Sequence, residues 1–280
     1  MKFASFEADG RRTFGVVCDD SLIEASEAFR ARYADLRAVL AADALADLAA
    51  ESGGQTFDAS SVEYLPTIPN PDKVICVGVN YRPHLEEMGR DPPDHPVIFV
   101  RFAGSQTGHG QPIIRPRASS QYDFEGELGV VIGRAARDVS RDAALDYVAG
   151  YTCFMDGTAR DWQKHSTQFT PGKNFHHSGS MGPYLVSRDE VPDVTSLALQ
   201  TRVNGAVMQE ARVSELIFDI PFLIEYLSTF TELLPGDVIA TGTPGGVGAA
   251  RTPAVWLDDG DEVAVDIVGV GVLVNSVRGD

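Results

Sequence analysis

The sequence predicts an α+β protein in which β-strands dominate. Three observations carry this reading. Short apolar, β-branched runs recur from Val74 onward, separated by turn residues such as Asn204-Gly205, Pro235-Gly236-Asp237 and Asp259-Gly260-Asp261. One clear amphipathic helix interrupts them, over about 214–230, with Leu216, Ile217, Ile220, Leu223, Ile224 and Leu227 on one face. The stretch Pro66-Thr-Ile-Pro-Asn-Pro-Asp72 carries three prolines and divides this region from a shorter one of different texture. We therefore expect a small N-terminal α+β segment over 1–69, a hairpin plus helices, and a β-rich unit over 70–280.

The elements follow in order. Residues 2–7 and 13–18 read as a hairpin, because Asp9-Gly10 favours a tight turn between them. From 26 to 52, Phe29, Tyr33, Leu36, Leu40, Leu45 and Leu48 recur every three to five residues, which predicts one or two amphipathic helices with a packing role. Beyond the prolines, strands are expected over 74–79, 96–100, 128–132, 148–155, 197–203, 238–241, 262–267 and 270–274.

Composition narrows the function. The 280 residues are 44% hydrophobic and 22% charged, enough to build a sizeable core. A net charge of −17 with no basic stripe argues against nucleic acid as a partner. No apolar run is long enough to span a bilayer, and the N-terminus has no signal-peptide pattern, so a cytoplasmic protein without membrane contact is expected. Cys18, Cys76 and Cys153 are odd in number and widely spaced, which suits neither a disulfide framework nor a thiolate zinc site. Lysine is scarce, only four against nineteen arginines, so each lysine carries more information than usual.

Four constellations bear on chemistry. Asp123, Glu125 and Glu127 alternate in Gln121-Tyr-Asp-Phe-Glu-Gly-Glu-Leu128, and a continuous strand would place them on one face. Like charges so aligned repel where water is scarce, and a cation among them relieves it. Oxygen ligands suit Mg2+ or Mn2+, with Ca2+ as a further hard ion. Asp156, at the end of the run 148–155, is the candidate third ligand. A solvated edge-strand face is the alternative. In the second constellation, Asn80-Tyr-Arg-Pro-His-Leu-Glu-Glu-Met88 suggests a short helix with Asn80 as cap. His84 and Glu87 are then i and i+3, and can form a carboxylate-held general base. An incidental surface pair is the alternative.

Third, Arg160, Gln163 and Lys173 offer donors for a carboxylate and the oxygens of a keto acid, unless Lys173 is a solvated loop residue. Fourth, Thr241-Gly-Thr-Pro-Gly-Gly-Val-Gly248 lacks the Gly-Lys-Ser/Thr of a phosphate loop, and reads as a tight turn presenting Thr243 to a ligand. His176-His177 are expected to point apart, as loop residues. No nucleophile elbow is present.

Taken together, six stretches resemble the fumarylacetoacetate hydrolase family, particularly its smaller members that act on acylpyruvates and related diketo acids. They are Val77-Gly-Val-Asn-Tyr81, His84-Leu-Glu-Glu87, Phe124-Glu-Gly-Glu-Leu128, Asp156-Gly-Thr-Ala-Arg-Asp-Trp-Gln163, Gly172-Lys-Asn-Phe175 and Gly236-Asp-Val-Ile-Ala-Thr-Gly-Thr-Pro244. The resemblance spans about 70–277. It implies a mixed β-sandwich roll, a homodimer, and Glu125, Glu127 and Asp156 as metal ligands, with Asp123 at no ligand position. It implies a water-activating dyad in His84 and Glu87, on a lid segment. Lys173 and Gln163 would face the reacting carbonyl, and Arg160 and Thr243 would line the substrate pocket. Two departures are visible: Gly157-Thr158 follows Asp156 where Val-Ser or Val-Thr is usual, and Arg101-Phe102 stands where lysine and proline are common.

The activity this implies is metal-dependent hydrolysis of a C–C bond in a small anionic β-diketo acid, in the setting of aromatic catabolism. The metal would chelate the 2-keto acid end and His84 would activate water. An isomerase, tautomerase or oxaloacetate-type decarboxylase on the same scaffold is the first alternative, and a non-catalytic ligand-binding protein the second.

Overall fold

Apolar side chains on both faces of Gly126–Ile132 bury that strand completely, and the rest of the chain is layered around it. The computed structural model describes residues 1–51, 53–87, 89, 91 and 93–280. Among these, the strands form a sheet of twelve, a sheet of five and a two-stranded ribbon, which makes the protein α+β, β-dominated and mixed in strand direction. Gly126–Ile132 runs antiparallel to Val148–Met155 on one side and to Val238–Ala240 on the other. Val238–Ala240 is in turn parallel to Val74–Gly78.

The side-chain alternation of a strand explains the layers. Leu128, Val130 and Ile132 point to one face and pack with Leu199, Val265, Ile267 and Leu273 of the five-stranded sheet. Val131 points to the other face, where Phe154, Met181 and Leu185 meet Phe29, Leu36, Val39 and Leu48 from the N-terminal helices. Those helices are three short ones, Glu27–Arg32, Leu36–Ala41 and Leu45–Ala49, rather than one or two. Asp35 ends the continuity by accepting the Ala38 N–H as an N-cap.

The hairpin is as expected, Lys2–Ala8 with Arg11–Cys18, and Asp9 and Gly10 both take positive φ between them. Its first strand also pairs with Gly179–Ser187, with Phe3 opposite Leu185, so residues 1–69 share the large sheet with residues from 70–280. The sequence pattern does not mark Gly179–Ser187 as a strand, because its glycines, proline and serines mask the period.

Three further expectations change. The helix begins at Ile220, not 214, and runs to Phe230. Asp219 caps it with Pro221 in the first turn, while Leu216 to Phe218 are drawn toward Asn80. The Ile217 N–H donates to the Asn80 carbonyl, and the Phe218 N–H to Asn80 Oδ1. Asn80 is therefore a tie between segments rather than a helix cap. The acidic stretch is also not one strand: Tyr122–Asp123 pairs with Thr158–Ala159, and the chain turns at Phe124-Glu125 before Gly126–Ile132 begins.

Candidate active site

Four chain segments end side by side, and this creates the site. Gly126–Ile132 starts there, while Val74–Gly78, Val148–Met155 and Val238–Ala240 finish there. Register then places Glu127 opposite Phe154, two residues before Asp156, and brings Gly242 beside Glu127. One carboxylate oxygen from each of Glu125, Glu127 and Asp156 lies within 4.8 Å of the others, and all three side chains are buried. Asp123 stands apart from this trio. It forms a 2.8 Å ion pair with Arg160 and accepts the backbone N–H groups of Gly248 and Ala249.

Acids gathered in a buried site call for a cation among them, and the chain supplies several of its own. Lys173 Nζ lies 2.7 Å from Glu125 Oε2 and 2.6 Å from Asp156 Oδ2. Arg160 Nη2 lies 2.6 Å from Glu125 Oε1, and Arg101 Nη1 lies 2.5 Å from Asp156 Oδ1. These charges are separated in the sequence, so no local pattern announces the match. Arg101 shared the inward parity of Val97 and Phe99, which was the one available signal.

The electrostatics are uneven. Burial works to raise the Glu125 carboxyl, but Lys173 and Arg160 outweigh it and hold it at about 2. Burial tends to strip Lys173 of its proton, yet Asp156 and Glu125 prevail and raise it. Glu127 goes the other way: burial, then the neighbouring charges of Asp156 and Glu125, push it well above the carboxylate range. Its partner is the Gly242 N–H at 2.8 Å. A buried carboxylate so poorly compensated, in an all-oxygen cluster, fits a hard divalent cation. Glu125, Glu127 and Asp156 are the residues that could hold one.

The glycine-rich loop has an unexpected role. Its backbone N–H groups do bind anions, as in a phosphate loop, but the anions are the protein's own carboxylates. Gly242 donates to Glu127, Gly246 to Glu87 and Gly248 to Asp123. Thr243 Oγ1 donates to the Gly126 carbonyl and accepts from Gln209 Nε2.

His84 lies on the helix Arg82–Glu87. Its Nδ1 is 2.7 Å from Glu87 Oε1, and Gly246 holds the other Glu87 oxygen at 2.8 Å. A carboxylate on Nδ1 keeps the proton there and leaves Nε2 as the basic nitrogen.

These groups surround a cavity of about 440 Å3. His84, Glu125, Glu127, Arg160, Gln163, Lys173 and Thr243 line it directly. Glu87 stands behind His84, and Asp156 behind Lys173. Val77, Val97, Phe99 and Phe169 form an apolar wall, and Lys164, Ser166 and Thr167 a polar one. Part of the 163–170 loop thus builds the wall. Of the 89–95 loop, residues 90 and 92 lie outside the described residues. His176 and His177 stack on each other, ring centroids 3.8 Å apart, rather than diverging, and neither lines the cavity. A larger cavity of about 900 Å3 lies beside the N-terminal helices, but none of the candidate residues reaches it. Arg134 and Arg188 there are paired with Asp43 and Asp146.

The Gly157 departure has a steric reason. A Cβ at Gly157 would come within 2.0 Å of the Ser178 carbonyl and 2.6 Å of the Tyr122 hydroxyl, which itself donates to Ser178 O.

Residues 73–278 match the family described as fumarylacetoacetate (FAA) hydrolase C-terminal. The chain is 38% identical to an oxaloacetate tautomerase of Bacillus subtilis, over 99% of this chain and 100% of that one. Among solved structures, it is similar to a fumarylacetoacetate hydrolase from psychrophilic Exiguobacterium antarcticum, with a TM-score of 0.86, 34% identity and all of both chains covered. A 5-carboxymethyl-2-hydroxymuconate delta-isomerase from Mycobacterium smegmatis is similar over the whole of both chains, with a TM-score of 0.81 and 31% identity.

Proposed function

The chain belongs to the fumarylacetoacetate hydrolase family, and from that premise we propose that it is a metal-dependent tautomerase acting on a small anionic 2-oxo acid of the oxaloacetate type. The observation that carries the proposal is one cavity lined by both a carboxylate-held base, His84, and a buried ammonium, Lys173. The full-length likeness to an oxaloacetate tautomerase supports the choice of reaction.

Mg2+ or Mn2+ held by Glu125, Glu127 and Asp156 would supply Lewis acidity to the oxygens of a chelating 2-oxo acid. Arg160 and Gln163 line the same wall and would orient the substrate carboxylate, with Thr243 closing the pocket beside Glu127. His84 Nε2 would take a proton from C3, and the electron pair would move toward the 2-oxygen. The Lys173 ammonium would stabilise negative charge at that oxygen. His84, now protonated on both nitrogens and steadied by Glu87, would return the proton to the oxygen. One proton moves from carbon to oxygen and nothing else is consumed. The apolar wall limits water around the base.

Hydrolysis of a β-diketo acid is the second reading, and the same dyad would serve it. A base on Nε2 that removes a proton from C3 can equally remove one from water. A homodimer belongs to the same proposal, on the strength of the sequence resemblance, and a cytoplasmic setting and the 1–69 and 70–280 division at the prolines are proposed with it. No helix among the described residues is long and apolar enough to cross a membrane.

The test follows enol oxaloacetate by its ultraviolet absorbance with Mg2+ or Mn2+ present, and identifies products by NMR. Acceleration of keto–enol exchange without release of a smaller acid is the expected result. Release of an acid from an acylpyruvate without tautomerisation would replace the proposal by the hydrolase reading, and carbon dioxide alone by a decarboxylase. Absence of any turnover would leave a binding protein.

A further inference from the structure

A chain with a net charge of −17 and only four lysines engages nearly all of its ammonium groups. Lys2 lies over the Tyr184 ring, Lys73 pairs with Asp72 and Asp237, and Lys173 pairs with Glu125 and Asp156. Lys164 is the exception: among the described residues it has neither an acidic partner nor an aromatic one, and it lines the active-site cavity.

The helical turn Arg160–Gln163 puts it there. Lys164 continues that turn with αR dihedrals, so Arg160, Gln163 and Lys164 are i, i+3 and i+4 on one face. All three line the cavity, and exposure rises along them, from buried Arg160 through half-buried Gln163 to exposed Lys164. They form a ladder from the acidic cluster to the mouth, with Lys164 about 6 Å beyond Arg160 along the helix axis. Thr167, on the same wall, offers a hydroxyl donor.

The interior charges leave Lys164 a task. Arg160, Lys173 and Arg101 match Asp123, Glu125 and Asp156, whereas Glu127 is tied to the Gly242 N–H rather than to a cation. A dication at Glu127 would leave one positive charge, which the carboxylate at the chelating end of a 2-oxo acid cancels. A second carboxylate would then enter without a counter-charge, which is costly away from water unless a cation meets it. Lys164 is the lining cation not already engaged.

We propose that Lys164 holds a second carboxylate of the substrate, at the end away from the acidic cluster, and that the site thereby selects 2-oxo diacids over 2-oxo monoacids of equal length. The cavity of about 440 Å3 has room for a carbon chain between the two acid groups, and Val77, Val97 and Phe99 supply apolar contacts for it. A lysine suits this place, because a point charge on a flexible stem can meet a carboxylate on chains of different length. Lys164 sets specificity and takes no part in the proton transfer.

The proposal rests on the reading of this cavity as a 2-oxo acid site, and equilibrium binding tests it without turnover. Full-length protein loaded with Mg2+ is titrated calorimetrically with 2-oxoglutarate and with 2-oxovalerate, which share a chelating end and a chain length and differ in the distal carboxylate. Wild type should bind the diacid about 10-fold more tightly, the contribution of a charge-assisted hydrogen bond at a partly exposed site. Lys164→Met should remove that preference and Lys164→Arg should keep most of it, while affinity for 2-oxovalerate, which also reports folding, changes much less. With oxaloacetate, the KM of Lys164→Met should rise about 10-fold, well beyond any fall in kcat. Equal affinity of wild type for the two acids, binding of neither, or a diacid preference that survives in Lys164→Met would overturn the proposal. A preference abolished by Lys164→Met, in a protein that does not interconvert the forms of oxaloacetate, would instead sink the tautomerase reading alone.

Discussion

Arg160 closes a 2.8 Å ion pair with Asp123, and that pair decides which of three alternating acids face the cavity. With Asp123 neutralised and turned toward the backbone N–H groups of Gly248 and Ala249, Glu125 and Glu127 are left to join Asp156. Asp123→Asn should therefore destabilise the fold, by about 3 kcal/mol for a broken buried pair, as read by urea unfolding. It should also lower activity, because Arg160 loses the anchor that aims it at Glu125. Unchanged stability and turnover would mean that the pair is incidental.

His84→Ala removes the proposed base and leaves the cation cluster intact. A fall in kcat of roughly 100- to 10,000-fold is expected, the usual range for a general base. Glu87→Gln keeps the shape but weakens the hold on Nδ1, so a smaller loss is expected. If both variants turn over like wild type, His84 is not the proton carrier.

Lys173 links two acids and faces the cavity, so Lys173→Met acts twice. Activity should fall by about 100-fold or more, as when a preorganised electrostatic partner is removed. The metal-free variant should also melt lower than wild type, since Glu125 and Asp156 lose a shared counter-charge, and Mg2+ should recover more of the melting temperature than it adds to wild type. Equal Mg2+ effects on the two proteins would contradict this placement.

Gly172 carries no polar group but sets the position of Lys173. A Cβ there would come within 2.5 Å of Gln163 N and 2.6 Å of Ala159 O, both backbone atoms that cannot give way easily. Gly172→Ala should push the short helix Thr170–Lys173 off its neighbour and depress kcat. Crystallography of the variant would show whether Lys173 has moved; a variant with wild-type kcat and an unmoved Lys173 would remove this role.

Acid stability should depend on Glu24, far from the site. Burial tends to raise its carboxyl, but Arg11, Thr13 and Arg30 outweigh that and lower it below the ordinary 4.5. A group depressed in the folded chain stabilises it above its unfolded pKa and loses that contribution as the pH falls through the folded value. Wild type should therefore lose stability on acidification below about 4.5. Glu24→Gln should be less stable at neutral pH and should lose less between pH 5 and 3, as measured by thermal melts across that range.

The local grammar of this chain was legible without any structure. Asp9-Gly10 specified a turn, the prolines from Pro66 to Pro71 a break in texture, and the short apolar, β-branched runs most of the core strands. The six spaced motifs also pointed to the family and to a cluster of Glu125, Glu127 and Asp156. Local pattern misleads where local chemistry conflicts with it: Gly179–Ser187 hides its period behind glycine and proline, and Leu216 and Ile217 have helical spacing but lie in the segment held by Asn80.

What the sequence by itself determined was the set of available charges and the periods that carry them inward. The tertiary structure alone decided which charges meet. Arg101 and Asp156 are 55 positions apart, and Gly242 and Glu127 are 115 apart, so nothing in either neighbourhood could announce the contact. Strand pairing sets those meetings, because register fixes which residues stand opposite at the sheet's end. The strength of a buried charge pair then depends on the low-dielectric surroundings that only the assembled layers provide.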